Sequence, residues 1–233
     1  MTSSLRAILF DFDGVIADTE PIHLALFQQV LKEEGVRLTE SEYLERYLGL
    51  DDRACFAQVY RDQGKGLPFE KLGDLVQRKN ESLLSFIKGR SLLLPGVKEL
   101  LNRVSGRYFC AVVSGALKSE IIAILRSAEI LDRFQVIVGA DDVSQGKPHP
   151  EGFLMAMRLL NRNFVPPSEI LLAAECLAIE DSPWGITAAH KAGARCLGVM
   201  NSYGQDRLKE ADLVVKDLSS LDWQGIERLF IIS

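Results

Sequence analysis

Six short, almost uninterrupted apolar runs constrain the fold of this chain more than any other feature. They lie at residues 7–10, 109–113, 136–138, 176–179, 196–199 and 213–215. Short runs without polar alternation are typical of strands that are buried on both faces, as in parallel sheets. The sequence therefore predicts six strands of a buried, parallel sheet.

Segments with helical periodicity separate most of these runs. They read VKELLNRV after Pro95-Gly96, then KSEIIAILRSA, EGFLMAMRLL and WGITAAHKAG, and the last of them ends at Gly193 in the position of a helix C-cap. Strands that alternate with helices indicate a parallel sheet with right-handed crossovers. We therefore predict an α/β fold with a Rossmann-like sheet.

One long segment interrupts this alternation. Between the first and second predicted strands, residues 21–93 show only helical periodicity. A connection of this length is far longer than an ordinary βα loop. We therefore predict two domains: an α/β core formed by residues 1–20 and 94–233, and a helical domain of residues 21–93 inserted after the first strand.

Composition and charge exclude several classes of partner. The chain is 47% hydrophobic and 25% charged, as ordinary globular proteins are. Its net charge of −5 gives no basic surface for nucleic acid. The apolar runs are too short to span a bilayer, and no signal-peptide pattern is visible, so we expect a cytoplasmic location without membrane attachment. Reduced thiols, with no disulfide or zinc framework, are predicted from the unpaired spacing of Cys55, Cys110, Cys176 and Cys196.

The first apolar run leads directly into acidic residues. Asp11 and Asp13 follow it in the stretch AILFDFDGV. Ligands of open α/β sheets bind at the carboxyl ends of strands, and residues two apart on extended chain point the same way. Two carboxylates held together destabilise each other unless a cation lies between them, and oxygen ligands suit Mg²⁺. For this short motif alone, a pair of solvated turn acids is the alternative interpretation.

Chemically useful groups also follow other predicted strands. The run 109–113 ends in Ser114-Gly115, whose hydroxyl and backbone N–H groups can hold a phosphate. Lys147 lies in a glycine- and proline-bounded loop, and the run 176–179 ends in Glu180-Asp181. Taken singly, each of these residues is more commonly structural. Because strand ends of one parallel sheet converge, together they predict one site with a nucleophile, metal-binding carboxylates and phosphate-binding groups.

The motifs resemble those of a known family. DFDGV at 11–15, Ser114-Gly115, GKPHP at 146–150 and EDSPWG at 180–185 followed by AAHKAG are similar, in order and spacing, to the four motifs of the haloacid dehalogenase superfamily. The resemblance covers nearly the whole chain. The insertion at 21–93 resembles the helical cap of its phosphatase and β-phosphoglucomutase-like subgroup.

The resemblance implies that Asp11 is the nucleophile, which forms an aspartyl-phosphate. Asp13 is then expected to act as general acid and base, and to bind the metal through its backbone carbonyl. The dehalogenase branch has no acid at the position of Asp13, so this residue favours phosphoryl transfer. Asp181 is expected to complete a Mg²⁺ site with Asp11, with Glu180 beside it or behind it.

The same resemblance implies that Lys147, Ser114 and the Gly115 N–H hold the phosphoryl oxygens. In the insertion it implies substrate contacts for the residues His23, Lys79 and Arg53. A solvated first-turn histidine and an exposed helical lysine are the alternatives for His23 and Lys79.

Arg53 lies near the place where mutase-like members carry a phosphate-binding arginine. Counted without gaps, however, the matching position is Asp52. This departure favours hydrolysis over mutase activity.

These observations predict a Mg²⁺-dependent phosphatase that hydrolyses a small phosphorylated metabolite, with sugar phosphates as one class. A β-phosphoglucomutase-like sugar phosphomutase is the alternative. A non-catalytic phospho-acceptor module fits the long insertion and Asp13 poorly. The expected partner is the phosphorylated substrate, and no nucleic-acid, membrane or protein partner is implied.

Overall fold

The computed structural model describes residues 4–88 and 90–230. Its strands are β1 (Ala7–Phe10), β2 (Phe109–Val113), β3 (Val136–Val138), β4 (Cys176–Glu180), β5 (Arg195–Val199) and β6 (Leu213–Val215). They form one sheet in the order β3-β2-β1-β4-β5-β6, and every neighbouring pair of these described strands is parallel. The predicted α/β fold with a Rossmann-like sheet is therefore confirmed.

Helices cover both faces of the sheet and fill the insertion. They are α1 (Glu20–Glu33), α2 (Glu40–Glu42), α3 (Asp52–Asp62), α4 (Phe69–Phe86), α5 (Val97–Val104), α6 (Lys118–Ser127), α7 (Glu151–Asn163), α8 (Pro183–Lys191), α9 (Gln205–Leu208) and α10 (Trp223–Leu229). A π-helical turn at Tyr43–Tyr47 follows α2. Gly193 lies just beyond α8 with φ of +84°, the left-handed conformation that commonly ends a helix.

Successive residues of each strand enter different cores. In β1, Ile8 and Phe10 face a cluster shared with α5, α6 and α10. Ala7 and Leu9 face a second cluster, which is shared with α7 and α8. All four residues are at most 1% exposed, because helices cover both faces of the sheet. This two-sided burial explains why the strands appear in the sequence as continuous apolar runs.

The helices α1 to α4 build a third core of their own. It contains Phe27, Leu31, Phe56 and Leu75, among other buried residues that all lie between positions 27 and 76. The rings of Phe27 and Phe56 meet edge to face, with centroids 4.9 Å apart. This separate cluster supports our proposal that residues 21–93 form a domain inserted into a core of residues 1–20 and 94–233.

Two further observations concern the cysteines and the lengths of the helices. Cys55, Cys110, Cys176 and Cys196 are all buried, and they are thiols rather than disulfide partners. Among the described residues, no helix combines the length and the apolar character that crossing a membrane requires.

Candidate active site

The carboxyl ends of three neighbouring strands bring the predicted site residues together. Asp11 directly follows β1, Ser114 follows β2, and Glu180 and Asp181 lie at the end of β4. β1 lies between the other two strands, with Phe10 level with Val112 and Ile179. The three polar ends therefore meet at one edge of the sheet, as the sequence predicts.

Three buried carboxylates form the centre of this edge. Oxygen atoms of Asp11, Glu180 and Asp181 all lie within 4.8 Å of one another. Lys147 Nζ lies 2.7 Å from Asp11 Oδ1 and 2.6 Å from Glu180 Oε1, and it donates a hydrogen bond to the Val113 carbonyl at 2.9 Å. One ammonium thus contacts two of the three carboxylates.

The charges of this cluster do not balance. With all three carboxylates ionised, one ammonium leaves two negative charges in excess. Burial raises the pKa of Asp11 and, more strongly, that of Glu180, and Lys147 offsets only part of this effect. Carboxylate oxygens are the donors that Mg²⁺ prefers, and a dication would remove the excess charge. These residues therefore fit a magnesium ion.

The start of α8 fixes the orientation of Glu180. The Ser182 hydroxyl accepts a hydrogen bond from the Gly185 N–H at 3.0 Å, which caps the helix, and it donates to Glu180 Oε2 at 3.3 Å. A Cβ atom built on Gly185 would overlap the Glu180 carboxylate. Pro183 occupies the first turn of α8, where its missing N–H costs nothing. Each residue type in this part of the motif EDSPWG thus has a physical reason.

The Asp13 carboxylate belongs to a separate hydrogen-bonding network. It accepts hydrogen bonds from the hydroxyl of Thr19 and, at 3.3 Å, from that of Ser114. His23 Nε2 lies 3.5 Å from Asp13 Oδ1. Burial alone would raise the pKa of Asp13, but the hydrogen bonds and charge of His23, with the Thr19 hydrogen bond, lower it below its ordinary value.

His23 is buried and joins the insertion to the core. Its Nε2 lies 3.2 Å from Glu120 Oε1 on α6, and its Nδ1 lies 2.7 Å from Lys79 Nζ on α4. Burial and Lys79 act to lower the pKa of His23, but Glu120 and Asp13 outweigh them and raise it to about 10. The alternative of a solvated histidine at this position is therefore wrong.

Lys79 is also buried rather than exposed. Its side chain has no solvent-accessible surface, its Nζ lies 2.6 Å from Asp52 Oδ1, and the ammonium lies 4.5 Å from the centre of the Phe27 ring. The interpretation of Lys79 as an exposed helical lysine is therefore wrong. Arg53, by contrast, is exposed at the start of α3.

A cavity of about 630 Å³ lies over the carboxyl edge of the sheet, between the core and the insertion. Most of the predicted site residues line it: Asp11, Asp13, His23, Arg53, Ser114, Gly115, Lys147 and Asp181. Glu180 and Lys79 are not part of this lining, and each contacts a residue that is. Eight of these ten residues thus line the cavity, and the other two lie behind it in contact with lining residues.

Two residues of these networks had no role in the sequence-based prediction. Thr19 precedes the proline-containing start of α1, and in the sequence this position indicates an ordinary helix N-cap. Glu120 lies in the first turn of α6, where an acidic residue reads as a partner of the helix dipole. Their burial beside Asp13 and His23 is visible only in three dimensions.

Comparisons with known proteins agree with this geometry. Residues 8–199 match the family model described as haloacid dehalogenase-like hydrolase. The chain is 32% identical to protein CbbY of Rhodobacter capsulatus, over 97% of this chain and 99% of that protein. It is 28% identical to validoxylamine A 7'-phosphate phosphatase of Streptomyces hygroscopicus subsp. limoneus, over 95% and 98% respectively.

Two solved structures have the same fold. β-Phosphoglucomutase from Clostridium difficile superposes with a TM-score of 0.85 and 26% identity, over 97% of each chain. CbbY from Rhodobacter sphaeroides, solved with xylulose 1,5-bisphosphate, gives a TM-score of 0.81 and 26% identity, over 96% of this chain and 99% of that one. The family match, the parallel sheet and the converging motifs lead to one conclusion: this chain belongs to the haloacid dehalogenase-like hydrolases.

Proposed function

We propose that this protein is a Mg²⁺-dependent phosphatase that hydrolyses a small phosphorylated metabolite through an aspartyl-phosphate on Asp11. One observation carries the proposal: the Asp11 carboxylate lies in the cavity lining, 2.7 Å from the Lys147 ammonium, within a cluster of three buried carboxylates. A phosphatase among the relatives, and a structural neighbour solved with a bisphosphate, support a phosphorylated substrate.

In the first step, an Asp11 carboxylate oxygen forms a bond to phosphorus while the bond from phosphorus to the leaving-group oxygen breaks. Lys147, the Ser114 hydroxyl and the Gly115 N–H orient the phosphoryl oxygens, since all three residues line the cavity. Asp11, Asp181 and the Asp13 backbone carbonyl would hold Mg²⁺, with Glu180 behind them. When bound, the ion supplies positive charge toward the phosphoryl oxygens.

Asp13 acts as the general acid and then as the general base. It donates one to the leaving-group oxygen in the first step, and it takes one from the attacking water in the second, so that phosphate is released and both aspartates return to their starting state. Its position supports the second step: Thr19, Ser114 and His23 hold the Asp13 carboxylate at the cavity lining, and Thr19 and His23 lower its pKa, which favours the ionised form that accepts a proton from water. The first step draws on the protonated form of the same carboxyl group. The insertion covers the cavity and would limit the access of bulk water.

The test is release of inorganic phosphate from 4-nitrophenyl phosphate in the presence of Mg²⁺. We expect Asp11→Asn to abolish turnover and chelation by EDTA to do the same. Asp18→Asn is the matched control, because Asp18 is an exposed acid in the same loop. Turnover by Asp11→Asn at the rate of Asp18→Asn would reject Asp11 as the nucleophile.

A sugar phosphomutase is the second candidate, and the likeness to β-phosphoglucomutase favours it. The core chemistry would be the same, with a sugar hydroxyl in place of water as the acceptor. Incubation with β-glucose 1-phosphate separates the two: a phosphatase releases phosphate, whereas a mutase forms glucose 6-phosphate. We expect phosphate release, because Asp52 occupies the position of the phosphate-binding arginine of mutase-like members.

A further inference from the structure

Acidic side chains form part of the wall of the cavity. Asp51, Asp52 and Asp141 belong to this wall, and the basic residues of the described lining are Arg53, Lys147, His23 and His149. Asp51 Oδ1 accepts a hydrogen bond from the Ala54 N–H at 2.9 Å, and Asp141 Oδ1 accepts one from the Lys118 N–H at 2.8 Å. These hydrogen bonds hold both carboxylates in place without cancelling their charge.

Lys79, a lysine of the insertion, does not place an exposed positive charge in this wall. Lys79 lies behind Asp52, fully buried, with its Nζ 2.6 Å from Asp52 Oδ1 and 2.7 Å from His23 Nδ1. A ligand in the cavity therefore meets the Asp52 carboxylate, which lines the cavity, before it meets the ammonium that this carboxylate neutralises. Among the described lining residues that belong to the insertion, Arg53 is therefore the only basic residue that is not buried.

Another part of this wall is apolar. The side chains of Phe27, Tyr43, Leu50, Ala57, Leu72 and Val76 line the cavity from the insertion. Trp184 and Tyr203 line it from the core, with ring centroids 5.8 Å apart. Such a surface favours a leaving group that has apolar area of its own.

We infer that, within the proposed phosphatase, Asp52 is a specificity-determining residue that selects phosphomonoesters of neutral or cationic alcohols with apolar surface, and disfavours a second phosphate or a carboxylate. The inference rests on the proposed function and names its substrate class. Its physical basis is the Coulomb cost of placing an anionic leaving group beside the carboxylates of Asp51 and Asp141 and beside the carboxylate end of the Asp52–Lys79 ion pair, in a partly enclosed cavity where screening is weaker than in bulk water.

Three aryl phosphates with para substituents of different charge test the inference: 4-methylphenyl, 4-(aminomethyl)phenyl and 4-(carboxymethyl)phenyl phosphate. The CH₂ group separates the charge from the ring, so the leaving groups stay chemically similar. We expect kcat/KM for the carboxymethyl ester to be about tenfold lower than for the methyl ester or lower still. The aminomethyl ester should be hydrolysed at least as well as the methyl ester.

Asp52→Asn then tests the residue itself. Its amide oxygen can still accept a hydrogen bond from Lys79, while the negative charge is lost and the buried ammonium is no longer neutralised. We expect this variant to narrow the gap between the carboxymethyl and methyl esters by threefold or more. Asp62→Asn is the matched control, because it removes the same charge from the far, exposed end of α3.

Each result decides between the claims. If the wild-type protein hydrolyses the carboxymethyl ester as fast as the methyl ester, the inference is overturned and the phosphatase activity stands. If Asp52→Asn leaves the ratio between the esters unchanged, Asp52 is not the determinant. If the protein hydrolyses none of the three esters, nor 4-nitrophenyl phosphate, the proposed function fails and the inference falls with it.

Discussion

Gly14 lies directly against the carboxylate of Asp181: a Cβ atom built on Gly14 would overlap Asp181 Oδ2. Gly14 also has φ of +74°, a conformation that side chains rarely adopt. The glycine after Asp13 therefore allows the loop following β1 to approach the end of β4. This approach brings Asp181 within reach of Asp11.

Gly14→Ala should accordingly remove activity as well as stability. Gly35→Ala is a matched control, because Gly35 has φ of +65° and a Cβ added there would have no neighbouring atom within 4 Å. We expect Gly35→Ala to lose about 1–2 kcal/mol of unfolding free energy from backbone strain and to keep its kcat. Gly14→Ala should lose more in urea unfolding and should show no Mg²⁺-dependent turnover. Equal losses of unfolding free energy and equal turnover in the two variants would contradict the close contact with Asp181.

Lys147→Met should be strongly destabilising. The buried carboxylates of Asp11 and Glu180 would lose their shared ammonium, and removing one partner of a buried ion pair costs about 3–5 kcal/mol. Lys118→Met is the comparison, because Lys118 forms a half-exposed pair with Asp142 and should lose about 1 kcal/mol or less. Denaturant unfolding measures both, and similar losses would show that the pair at Lys147 is not buried as described.

Glu120→Gln should impair catalysis without weakening substrate binding. Glu120 contacts His23, which contacts Asp13, so we regard Glu120 as a positioning residue. We expect kcat for esters with poor leaving groups to fall by about tenfold, within the range that proton transfer contributes, with little change in KM. The pKa of His23 should also fall from about 10, since Glu120 helps to raise it, and NMR titration would detect this. Glu99→Gln, on the exposed first turn of α5, should change neither quantity.

Mg²⁺ should stabilise the folded protein. At a concentration one hundred times its Kd, a ligand that binds only the folded state adds about 2.7 kcal/mol to the unfolding free energy. We therefore expect the Tm to rise by several degrees with Mg²⁺, and Asp181→Asn to lose most of this rise. Asp18→Asn should retain it. A Tm that does not respond to Mg²⁺ in the wild-type protein would contradict the proposed metal site.

Asp212→Asn should be destabilising in a pH-dependent way. Burial opposes ionisation of Asp212, but hydrogen bonds from the Cys196 N–H at 2.8 Å and from His190 at 3.0 Å lower its pKa. A carboxylate with a lowered pKa in the folded state stabilises the protein above its ordinary pKa, and this contribution disappears as the pH falls through the folded-state value. The variant should therefore have an unfolding free energy about 1 kcal/mol lower than that of the wild-type protein at pH 6, and this difference should shrink towards pH 3. Exposed Asp206→Asn serves as the control, and a deficit that is constant with pH would contradict the shift.

The bounds of the strands followed from local sequence because burial on both faces leaves a continuous apolar run. Prediction and structure differ by one residue at the end of β4 and by one residue, Arg195, at the start of β5. At the end of β4 the reason is electrostatic. Glu180 is a charged residue inside a buried strand, and it is tolerated because Lys147, far away in the chain, neutralises it. A hydropathy pattern carries no information on such a distant partner.

The groups that meet at the carboxyl edge could also be predicted from the order of residues along the chain. Asp11, Ser114 and Asp181 each follow an apolar run, and parallel strands place their carboxyl ends together whatever the details of packing. The parallel arrangement of the strands is therefore enough to predict that these residues lie close together, without knowledge of side-chain contacts.

The states of His23, Lys79 and Glu120 depend instead on packing between distant segments. Each lies on a helix whose periodicity is compatible with an exposed polar face, and each is buried because helices of the insertion and α6 pack together. Burial of a helical side chain depends on which surface covers it, and that surface comes from distant parts of the chain. The pairing of Lys79 with Asp52, at the wall of the cavity, is a property of packing and not of either local sequence.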